Sequence, residues 1–260
     1  MIDIHSHILP NIDDGAKNIQ ETLHLLQEAQ QVGFQAIVST SHYMEGYYET
    51  NVPEREMWIK VIYEKGQEEN IDLKLYLGNE IYLSENIVGL LKNGKASTIN
   101  DTSYVLFEMP LNIEPLNLYN VIYEMLENKL IPILAHPERY SFVQQSPDLI
   151  YDLIEKGVYM QANYASIIGY YGSKAQVIVK KLLENNMVHF LGSDVHRKNT
   201  IYPKIPEILA KLEKIVGKEE LEKLTTTNPK FVLQNKRIQI NNPNKIELTL
   251  KEKLIMKLKK

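Results

Sequence analysis

The chain of 260 residues is longer than an ordinary domain but suits a single α/β barrel, which typically needs about 250 residues. Its 44% hydrophobic and 24% charged residues are typical of globular proteins and exclude disordered and fibrous classes. The net charge of -4 offers no general attraction to nucleic acid, and the absence of cysteine excludes disulfides, thiolate ligands and thiolate nucleophiles. Since neither a signal peptide nor a membrane-spanning apolar run is evident, we expect a soluble cytoplasmic protein without membrane insertion.

Short β-branched runs alternate with longer helical stretches along the chain. This alternation is typical of repeated βα units and a parallel sheet, so the predicted fold class is α/β. Seven strands are predicted, near residues 2–5, 35–41, 73–79, 104–108, 131–135, 158–162 and 188–193.

The first helix is the clearest, because Asn18 stands three residues before Glu21 as in a capping box. Further helices are predicted at 117–129, 206–216 and 228–234. We predict one domain over residues 1–234, followed by a basic C-terminal tail over residues 235–260. The helix at 117–129 carries one apolar stripe, formed by Leu118, Val121, Ile122 and Met125.

Residues that commonly bind metals stand at the predicted carboxyl ends of the strands. From one predicted strand end to the next, these residues are separated by about one βα unit. The last separation, from His136 to Asp194, spans two units. Because barrel folds place their active sites at the carboxyl ends of the strands, we expect these residues to converge on one rim. The candidate metal ligands are His5, His7, Asp14 or its neighbour Asp13, His42, Glu80, Glu108, His136, Asp194 and His196.

Carboxylates crowded together with imidazoles resist joint ionisation unless divalent cations bind among them. A mixed nitrogen and oxygen ligand set suits manganese, iron or zinc better than calcium or magnesium. The number of candidates suits two or three ions. Asp3 shares a strand face with His5, and we predict that its carboxylate orients the His5 imidazole.

Two further histidines are predicted to take no part in such a centre. His24 lies among glutamines and a glutamate on the polar face of the first helix, which predicts a solvated side chain. His189 begins the last predicted strand, at the end opposite to the rim. Neither is therefore a predicted ligand.

The chain has four arginines, and two of them closely follow predicted ligands. Arg139 lies three residues after His136, and Arg197 directly follows His196. A guanidinium binds phosphate oxygens in a bidentate manner. We therefore predict Arg139 and Arg197 as catalytic residues that hold a phosphate, and Arg139 also as a substrate-binding residue. The alternative for each arginine is a surface salt bridge. A multi-metal centre beside an arginine indicates phosphoester hydrolysis.

The loop after the second predicted strand is rich in aromatic residues. Tyr47 and Tyr48 follow Gly46, shortly after the candidate ligand His42. An aromatic patch beside a site can hold a flat apolar substrate, so we predict both tyrosines as substrate-binding residues. Ordinary packing is the alternative.

Six motifs contain Arg139 and all of the candidate ligands except Glu108. They are Ile4-His5-Ser6-His7, Asp13-Asp14-Gly15, Ser39-Thr40-Ser41-His42, Gly78-Asn79-Glu80, Ala135-His136-Pro137-Glu138-Arg139-Tyr140 and Gly192-Ser193-Asp194-Val195-His196. In this order, over residues 1 to about 234, the chain resembles the polymerase and histidinol phosphatase (PHP) superfamily. More narrowly, it resembles the manganese-dependent protein-tyrosine phosphatases of Gram-positive capsule and exopolysaccharide operons.

The resemblance implies a distorted seven-stranded, TIM-like (β/α)7 barrel with three Mn²⁺ ions, iron and zinc being alternatives. The family usually has a second arginine several residues beyond the Asp-x-His pair, so Arg197 or Lys198 is expected to substitute here. Glu80 would bridge two ions. By the resemblance, the three ligand sets are His5, His7, Glu80 and Asp194; Glu80, Glu108 and His136; and Asp14, His42 and His196.

The resemblance further implies hydrolysis of phosphotyrosine on protein. The implied partner is a bacterial tyrosine kinase with a tyrosine-rich tail, which controls polysaccharide synthesis and export. The enzymatic alternative is a small-molecule phosphatase of the histidinol-phosphatase type, with the same metals in a closed polar pocket. A nuclease is disfavoured because the chain lacks a basic stripe that could bind DNA. A metal-stabilised scaffold is also disfavoured, because a purely structural site would not need so many ligands beside an arginine.

Overall fold

The computed structural model describes residues 1–257, and its strands run parallel in two sheets. The three-stranded sheet has the order β1-β2-β4, and the six-stranded sheet has the order β3-β5-β6-β7-β8-β9. The strands are β1 (Ile2–Ser6), β2 (Ala36–Ser39), β3 (His42–Tyr43), β4 (Lys74–Leu77), β5 (Glu80–Tyr82), β6 (Tyr104–Glu108), β7 (Ile131–Ala135), β8 (Tyr159–Asn163) and β9 (Phe190–Gly192).

Within residues 1–257 there are nine strands rather than the predicted seven, because two predicted strands are each broken in two. The predicted strand 35–41 becomes β2 and β3, and the predicted strand 73–79 becomes β4 and β5. At the first break the backbone passes from one sheet to the other, and the N–H of Glu80 donates to the carbonyl of Thr40 at 3.0 Å. The two breaks therefore lie side by side.

The first and last strands also meet. The N–H of His7 donates to the carbonyl of Val195 at 3.0 Å, and the N–H of Asp194 donates to the carbonyl of His5 at 2.8 Å. An isolated parallel bridge joins Ser6 to Val195. These contacts bring the carboxyl ends of β1 and β9 together.

The first seven helices lie between strands and the last four follow the last strand, and the predicted helices are present. The Asn18 side chain accepts a hydrogen bond from the N–H of Glu21 at 2.9 Å, so the predicted N-cap is confirmed. The helices are α1 (Ile19–Gln31), α2 (Val52–Glu68), α3 (Ile87–Lys92), α4 (Leu118–Glu127), α5 (Ser141–Gln145), α6 (Asp148–Glu155), α7 (Ser173–Glu184), α8 (Ile205–Val216), α9 (Lys218–Glu222), α10 (Asn228–Leu233) and α11 (Leu250–Lys257).

The apolar faces of these helices pack into the main hydrophobic core. On α4, all four side chains of the predicted stripe are at most 2% exposed. Burial of each such side chain contributes about 1.5–3 kcal/mol to stability. A second apolar cluster joins side chains of several strands, among them Val38, Leu106 and Ile133. Together the two clusters fix the strand ends that carry the candidate ligands.

The described part of the predicted tail, residues 235–257, packs on the preceding chain. Ile238 is only 6% exposed, and the hydroxyl of Tyr104 donates to the carbonyl of Lys236 at 2.7 Å. On α11, Glu252 lies 3.4 Å from the ammonium of Lys181. Residues 258–260 lie outside the described residues, and the division at residue 234 stays a prediction. Of the helices in residues 1–257, none is both long enough and apolar enough to cross a membrane.

Candidate metal centre

The candidate ligands gather where the strands end. His5 lies in β1, Glu108 ends β6, and His136 directly follows β7. His42 and Glu80 begin the short strands β3 and β5 instead of ending longer ones, and they stand opposite each other in the parallel pairing. The two strand breaks thus place these two side chains next to one another.

Three groups of side chains have ligand atoms within 4.8 Å of one another, close enough to share a metal ion. Eight of the nine predicted ligands belong to these groups, and His7, His42 and Glu80 each belong to two. The imidazole Nε2 of His136 lies beside the third group, 2.9 Å from one oxygen of Glu80 and 3.9 Å from one of Glu108. The groups are His5, His7, Glu80 and Asp194; His7, Asp14, His42 and His196; and His42, Glu80 and Glu108.

Hydrogen bonds orient the two imidazoles of β1. The Nδ1 of His5 lies 2.6 Å from the side-chain oxygen of Gln161, and the Nδ1 of His7 lies 2.7 Å from Asp13. Because both partners are acceptor oxygens, each Nδ1 donates a proton to its partner, and each Nε2 faces the cluster. Nε2 is then the nitrogen that can bind a metal once a metal ion replaces its proton.

The prediction that Asp3 orients the His5 ring is wrong. The Asp3 carboxylate accepts hydrogen bonds from the N–H of Ser193 at 2.9 Å and from the hydroxyl of Tyr202 at 2.8 Å. The pairing of β1 with β2 is irregular between Asp3 and Ser6, so simple alternation of faces does not hold there. Gln161 takes the expected place of Asp3 at the His5 ring.

Gln161 was missed, together with Asn163, whose amide donates to Asp194 at 2.7 Å. Both belong to β8 and are linked by a hydrogen bond of 3.0 Å. The sequence does contain a signal for these two residues. The predicted strand near 158–162 carries no candidate ligand, but the polar residues Gln161 and Asn163 stand two apart at its end and share one face. In the structure these two amides orient the candidate ligands His5, in β1, and Asp194, which follows β9.

The structure distinguishes Asp13 from Asp14. The oxygens of Asp13 accept hydrogen bonds from the His7 ring at 2.7 Å and from the N–H groups of His42 and Gly15, both at 2.9 Å. By contrast, one Asp14 oxygen lies 3.2 Å from Nε2 of His196 and belongs to a candidate ligand group. Asp13 thus holds other residues in place, and Asp14 faces the centre.

A glycine is required in this turn. A Cβ at Gly15 would lie 2.2 Å from the carbonyl oxygen of His7 and 2.8 Å from the Asp13 carboxylate. Such a contact would displace the backbone of His7, so only glycine permits the acidic turn to approach β1 this closely.

Glu80 lies at the middle of the cluster and is fully buried. Its Oε2 is 3.1–3.3 Å from ring nitrogens of His5, His7 and His42, yet has no hydrogen-bond partner of good geometry among the described residues. A buried carboxylate oxygen without a partner is costly, whereas a cation between it and three imidazoles would satisfy all four groups. The donor set therefore fits divalent metal ions.

Burial favours the neutral forms of the side chains in this cluster, but the attraction between its carboxylates and imidazoles favours the charged forms more strongly. Burial lowers the pKa of His5, while the carboxylates of Glu80 and Asp194 raise it, and the result is a pKa of about 9. Burial raises the pKa of Glu80, but His5 and His42 bring it well below its usual value. Protons on the imidazoles thus balance the carboxylates, and divalent cations can replace those protons.

Two candidate ligands have left-handed backbone conformations. His136 has φ 36° and Asp194 has φ 52°. Such conformations cost non-glycine residues about 1–3 kcal/mol and persist where the surrounding structure enforces them, often at functional sites. His136 directly follows β7, and Asp194 lies two residues after β9. Both side chains face the cluster.

The two predicted arginines line one cavity of about 220 Å³ beside the cluster. Arg139 donates through Nη1 to Asp194 at 2.7 Å, and its guanidinium lies 4.5 Å from the ring centre of Tyr171. Its carboxylate partner is thus a buried candidate ligand and not a surface acid. Arg197 donates to the carbonyl of Gly15. Sequence reasoning missed Tyr171, although a Tyr-Tyr pair after the predicted strand 158–162 was a signal for it.

The two predicted tyrosines differ in position. The Tyr48 ring stacks on the imidazole of His42, with ring centres 5.7 Å apart, whereas Tyr47 is 77% exposed. Two backbone hydrogen bonds of 2.9 Å between Met44 and Tyr48 close the turn at Gly46. This turn directs Tyr48 towards the cluster and leaves Tyr47 at the surface.

The two histidines that were not predicted as ligands lie outside the three groups. His24 is 41% exposed at its side chain and pairs with Glu28 at 3.1 Å on α1. His189 is buried, and its Nδ1 accepts a hydrogen bond from the N–H of Met160 at 2.9 Å. Burial lowers the pKa of His189 to about 3, so its ring is neutral.

Comparison with known proteins agrees with this geometry. The family described as "Capsular polysaccharide synthesis, CpsB/CapC" matches residues 1–234. The chain belongs to the CpsB/CapC family. The putative tyrosine-protein phosphatase CapC of Staphylococcus aureus is 32% identical over 243 residues, which cover 94% of this chain and 95% of CapC. The tyrosine-protein phosphatase YwqE of Bacillus subtilis is 31% identical over 247 residues, which cover 95% of this chain and 97% of YwqE.

Solved structures of the family are also similar. A chain from the crystal structures of YwqE from Bacillus subtilis and CpsB from Streptococcus pneumoniae, described as unique metal-dependent tyrosine phosphatases, matches with a TM-score of 0.89. It is 30% identical, and the match covers 95% of this chain and 100% of that one. The histidinol phosphate phosphatase of Lactococcus lactis matches with a TM-score of 0.55 at 13% identity, over 83% of this chain and 94% of that chain, and so shares the fold alone.

Proposed function

We propose that this protein is a metal-dependent phosphatase that hydrolyses phosphotyrosine on proteins. The observation that carries this function is the placement of three overlapping ligand groups beside a cavity lined by Arg139 and Arg197. Membership of the CpsB/CapC family supports the same activity, because the relatives compared above are named tyrosine-protein phosphatases.

Mn²⁺ is the proposed metal, with three ions, and iron or zinc is the alternative. One ion would take His5, His7, Glu80 and Asp194, and a second would take Asp14, His42 and His196, with His7 close enough to contribute. The third would take Glu80 and Glu108 with His136, although His42 also lies within reach of both glutamates. When bound, the ions supply Lewis acidity and positive charge to the phosphoryl group that is hydrolysed.

The arginines would bind the phosphate of the substrate. Among the described residues, the Arg139 guanidinium donates only through Nη1, so its other N–H groups can meet phosphate oxygens. The ring of Tyr171 and the Asp194 carboxylate hold this guanidinium from two sides. Arg197 lines the same cavity and is the proposed second phosphate-binding residue, with Lys198 as the alternative.

The aromatic side chains would bind the ring of phosphotyrosine. Tyr48 lies against His42 at the edge of the ligand groups, and Tyr47 stands exposed beside it. An open rim with aromatic side chains suits a phosphate at the end of a flat ring that belongs to a protein segment. A small polar phosphate would gain little from these rings.

We further infer that the two sheets form one distorted PHP barrel of seven strands, two of which are each broken in two, since contacts between Ser6 and Val195 join the ends of the first and last strands. The proposed partner is a tyrosine-phosphorylated protein, namely a bacterial tyrosine kinase with a tyrosine-rich tail that controls capsular or extracellular polysaccharide synthesis. The cytoplasmic location stays a prediction that fits such a partner.

The competing function is hydrolysis of a small phosphate such as histidinol phosphate. The Mn²⁺-loaded protein should be assayed side by side on a phosphotyrosine peptide and on histidinol phosphate. We expect a much higher kcat/KM for the peptide. Turnover of histidinol phosphate alone would contradict the proposal and establish the competing function.

A further inference from the structure

Arg55, on α2, is a buried cation without a carboxylate partner within 4 Å in the described part of the chain. Its side chain is 0% exposed, and burial lowers its pKa to about 10, which still leaves it charged at neutral pH. Nη1 donates to the carbonyl of Gly78 at 2.8 Å, and both terminal nitrogens contact the hydroxyl of Ser97, at 3.1 and 3.0 Å. A buried charge is tolerated only when hydrogen bonds replace its hydration, so these neutral acceptors are essential to it.

The contacts of Arg55 continue towards the metal centre. The N–H of Ser97 donates to the side-chain oxygen of Asn79 at 2.9 Å. The amide of Asn79 in turn donates to the carbonyl of Ser41 at 2.8 Å. Each contact in this chain of hydrogen bonds is within ordinary hydrogen-bond distance.

The network ends at the residues that precede two candidate ligands. Asn79 is followed by Glu80, and Ser41 is followed by His42. These are the two strand breaks, where regular sheet hydrogen bonds are interrupted and side chains must hold the backbone instead. Because Glu80 and His42 each belong to two ligand groups, a shift of either break would disturb two groups, and the two breaks together affect all three.

We propose that Arg55 is a positioning residue that acts through Ser97 and Asn79 to hold Glu80 and His42 in the metal centre. The inference rests on the proposed function, because it takes both side chains as metal ligands. A guanidinium suits this role since its planar fork reaches acceptors on two separate segments, Gly78 and Ser97.

The test measures Mn²⁺ binding to the full chain by calorimetric titration. Ser97→Ala removes the hydroxyl that accepts from Arg55, and Arg55→Met removes the guanidinium while keeping an unbranched apolar side chain. We expect Mn²⁺ binding to weaken about 10- to 100-fold in both variants, as is typical when groups that orient metal ligands are removed. If Arg55→Met does not fold, Ser97→Ala decides alone.

The control is Ile178→Ala, which removes a buried side chain of α7 that lies outside this network. It should lower the melting temperature but bind Mn²⁺ like the unmodified protein. Unchanged Mn²⁺ affinity in Ser97→Ala and Arg55→Met, or an equal loss in Ile178→Ala, would overturn the proposal. The titration is independent of substrate, so a protein that binds Mn²⁺ but does not hydrolyse a phosphotyrosine peptide contradicts the proposed function alone.

Discussion

The Nε2 atoms of His5 and His7 face each other at 3.2 Å, while an oxygen acceptor holds the Nδ1 of each ring. Two lone pairs at this distance repel each other unless a proton or a metal ion lies near both. The buried carboxylates of Glu80 and Asp194 complete the same group. This relationship supports the proposal that the two histidines bind one metal ion together, and the proposed chemistry of the whole centre depends on it.

His136→Ala should reduce turnover of a phosphotyrosine peptide by at least about 100-fold, because the variant loses a proposed ligand whose ring contacts Glu80. Initial rates at saturating Mn²⁺ measure the effect. The matched control is His24→Ala, which changes a half-exposed histidine on α1 and should retain substantial activity. A folded but inactive His24→Ala variant would contradict the assignment of the rim.

Arg139→Ala should lower kcat/KM about 10- to 150-fold, the equivalent of losing one charged hydrogen-bonded contact to phosphate. Its content of Mn²⁺ should stay unchanged, because the proposed role of Arg139 is to bind substrate. Elemental analysis and peptide hydrolysis together measure this separation. Unchanged turnover would show that Arg139 pairs with Asp194 but does not bind the phosphate of the substrate. A similar loss in Arg197→Ala would identify the second phosphate-binding residue.

Tyr48→Ser should raise KM for an aryl phosphate roughly fivefold, because loss of one aromatic contact costs about 1 kcal/mol. Tyr47→Ser should have a smaller effect, since this ring is 77% exposed and does not stack on His42. Steady-state kinetics on a phosphotyrosine peptide and on histidinol phosphate compare the two substrates. Equal losses for both substrates would show that the loop is structural.

His189 should make the protein less stable in acid. Burial lowers its folded-state pKa to about 3, whereas the unfolded chain has a pKa near 6.5, so the unfolded state binds the proton first as pH falls. The stability contributed by neutral His189 is complete above about pH 6.5 and is lost towards pH 3, at about 1.4 kcal/mol per pH unit.

The pH dependence can be measured by urea unfolding of the metal-depleted protein between pH 7 and pH 5. His189→Asn keeps an acceptor for the N–H of Met160 but cannot titrate. The free energy of unfolding of this variant should fall less steeply with decreasing pH. Equal slopes for the two proteins would show that the folded-state pKa of His189 is not lowered.

Elements that depend on local patterns could be predicted well. The strands at 104–108 and 131–135 have the predicted bounds, because each is a short, mostly apolar run that is buried in the fold. The breaks near Thr40 and Asn79 could not be predicted, since they follow from hydrogen bonds between segments about 40 residues apart, such as that from Asn79 to Ser41. The prediction of two unbroken strands therefore failed where the chain changes sheets.

The site likewise contains residues that could be predicted from the sequence and residues that could not. The convergence of the charged and imidazole candidate ligands could be predicted from their positions at strand ends, because barrel folds bring those ends together. Gln161 and Asn163 are neutral amides, and only their contacts in the folded chain show that they orient His5 and Asp194. The choice between Asp13 and Asp14 likewise depends on which carboxylate is already engaged by backbone N–H groups.

The most direct measurement is hydrolysis of a phosphotyrosine peptide by the metal-depleted protein before and after addition of Mn²⁺. We expect no turnover in the protein freed of metal by chelation, with the fold retained by circular dichroism. Turnover should return as Mn²⁺ is added. A full rate in protein shown by elemental analysis to contain no metal would contradict the proposed metal-dependent hydrolysis.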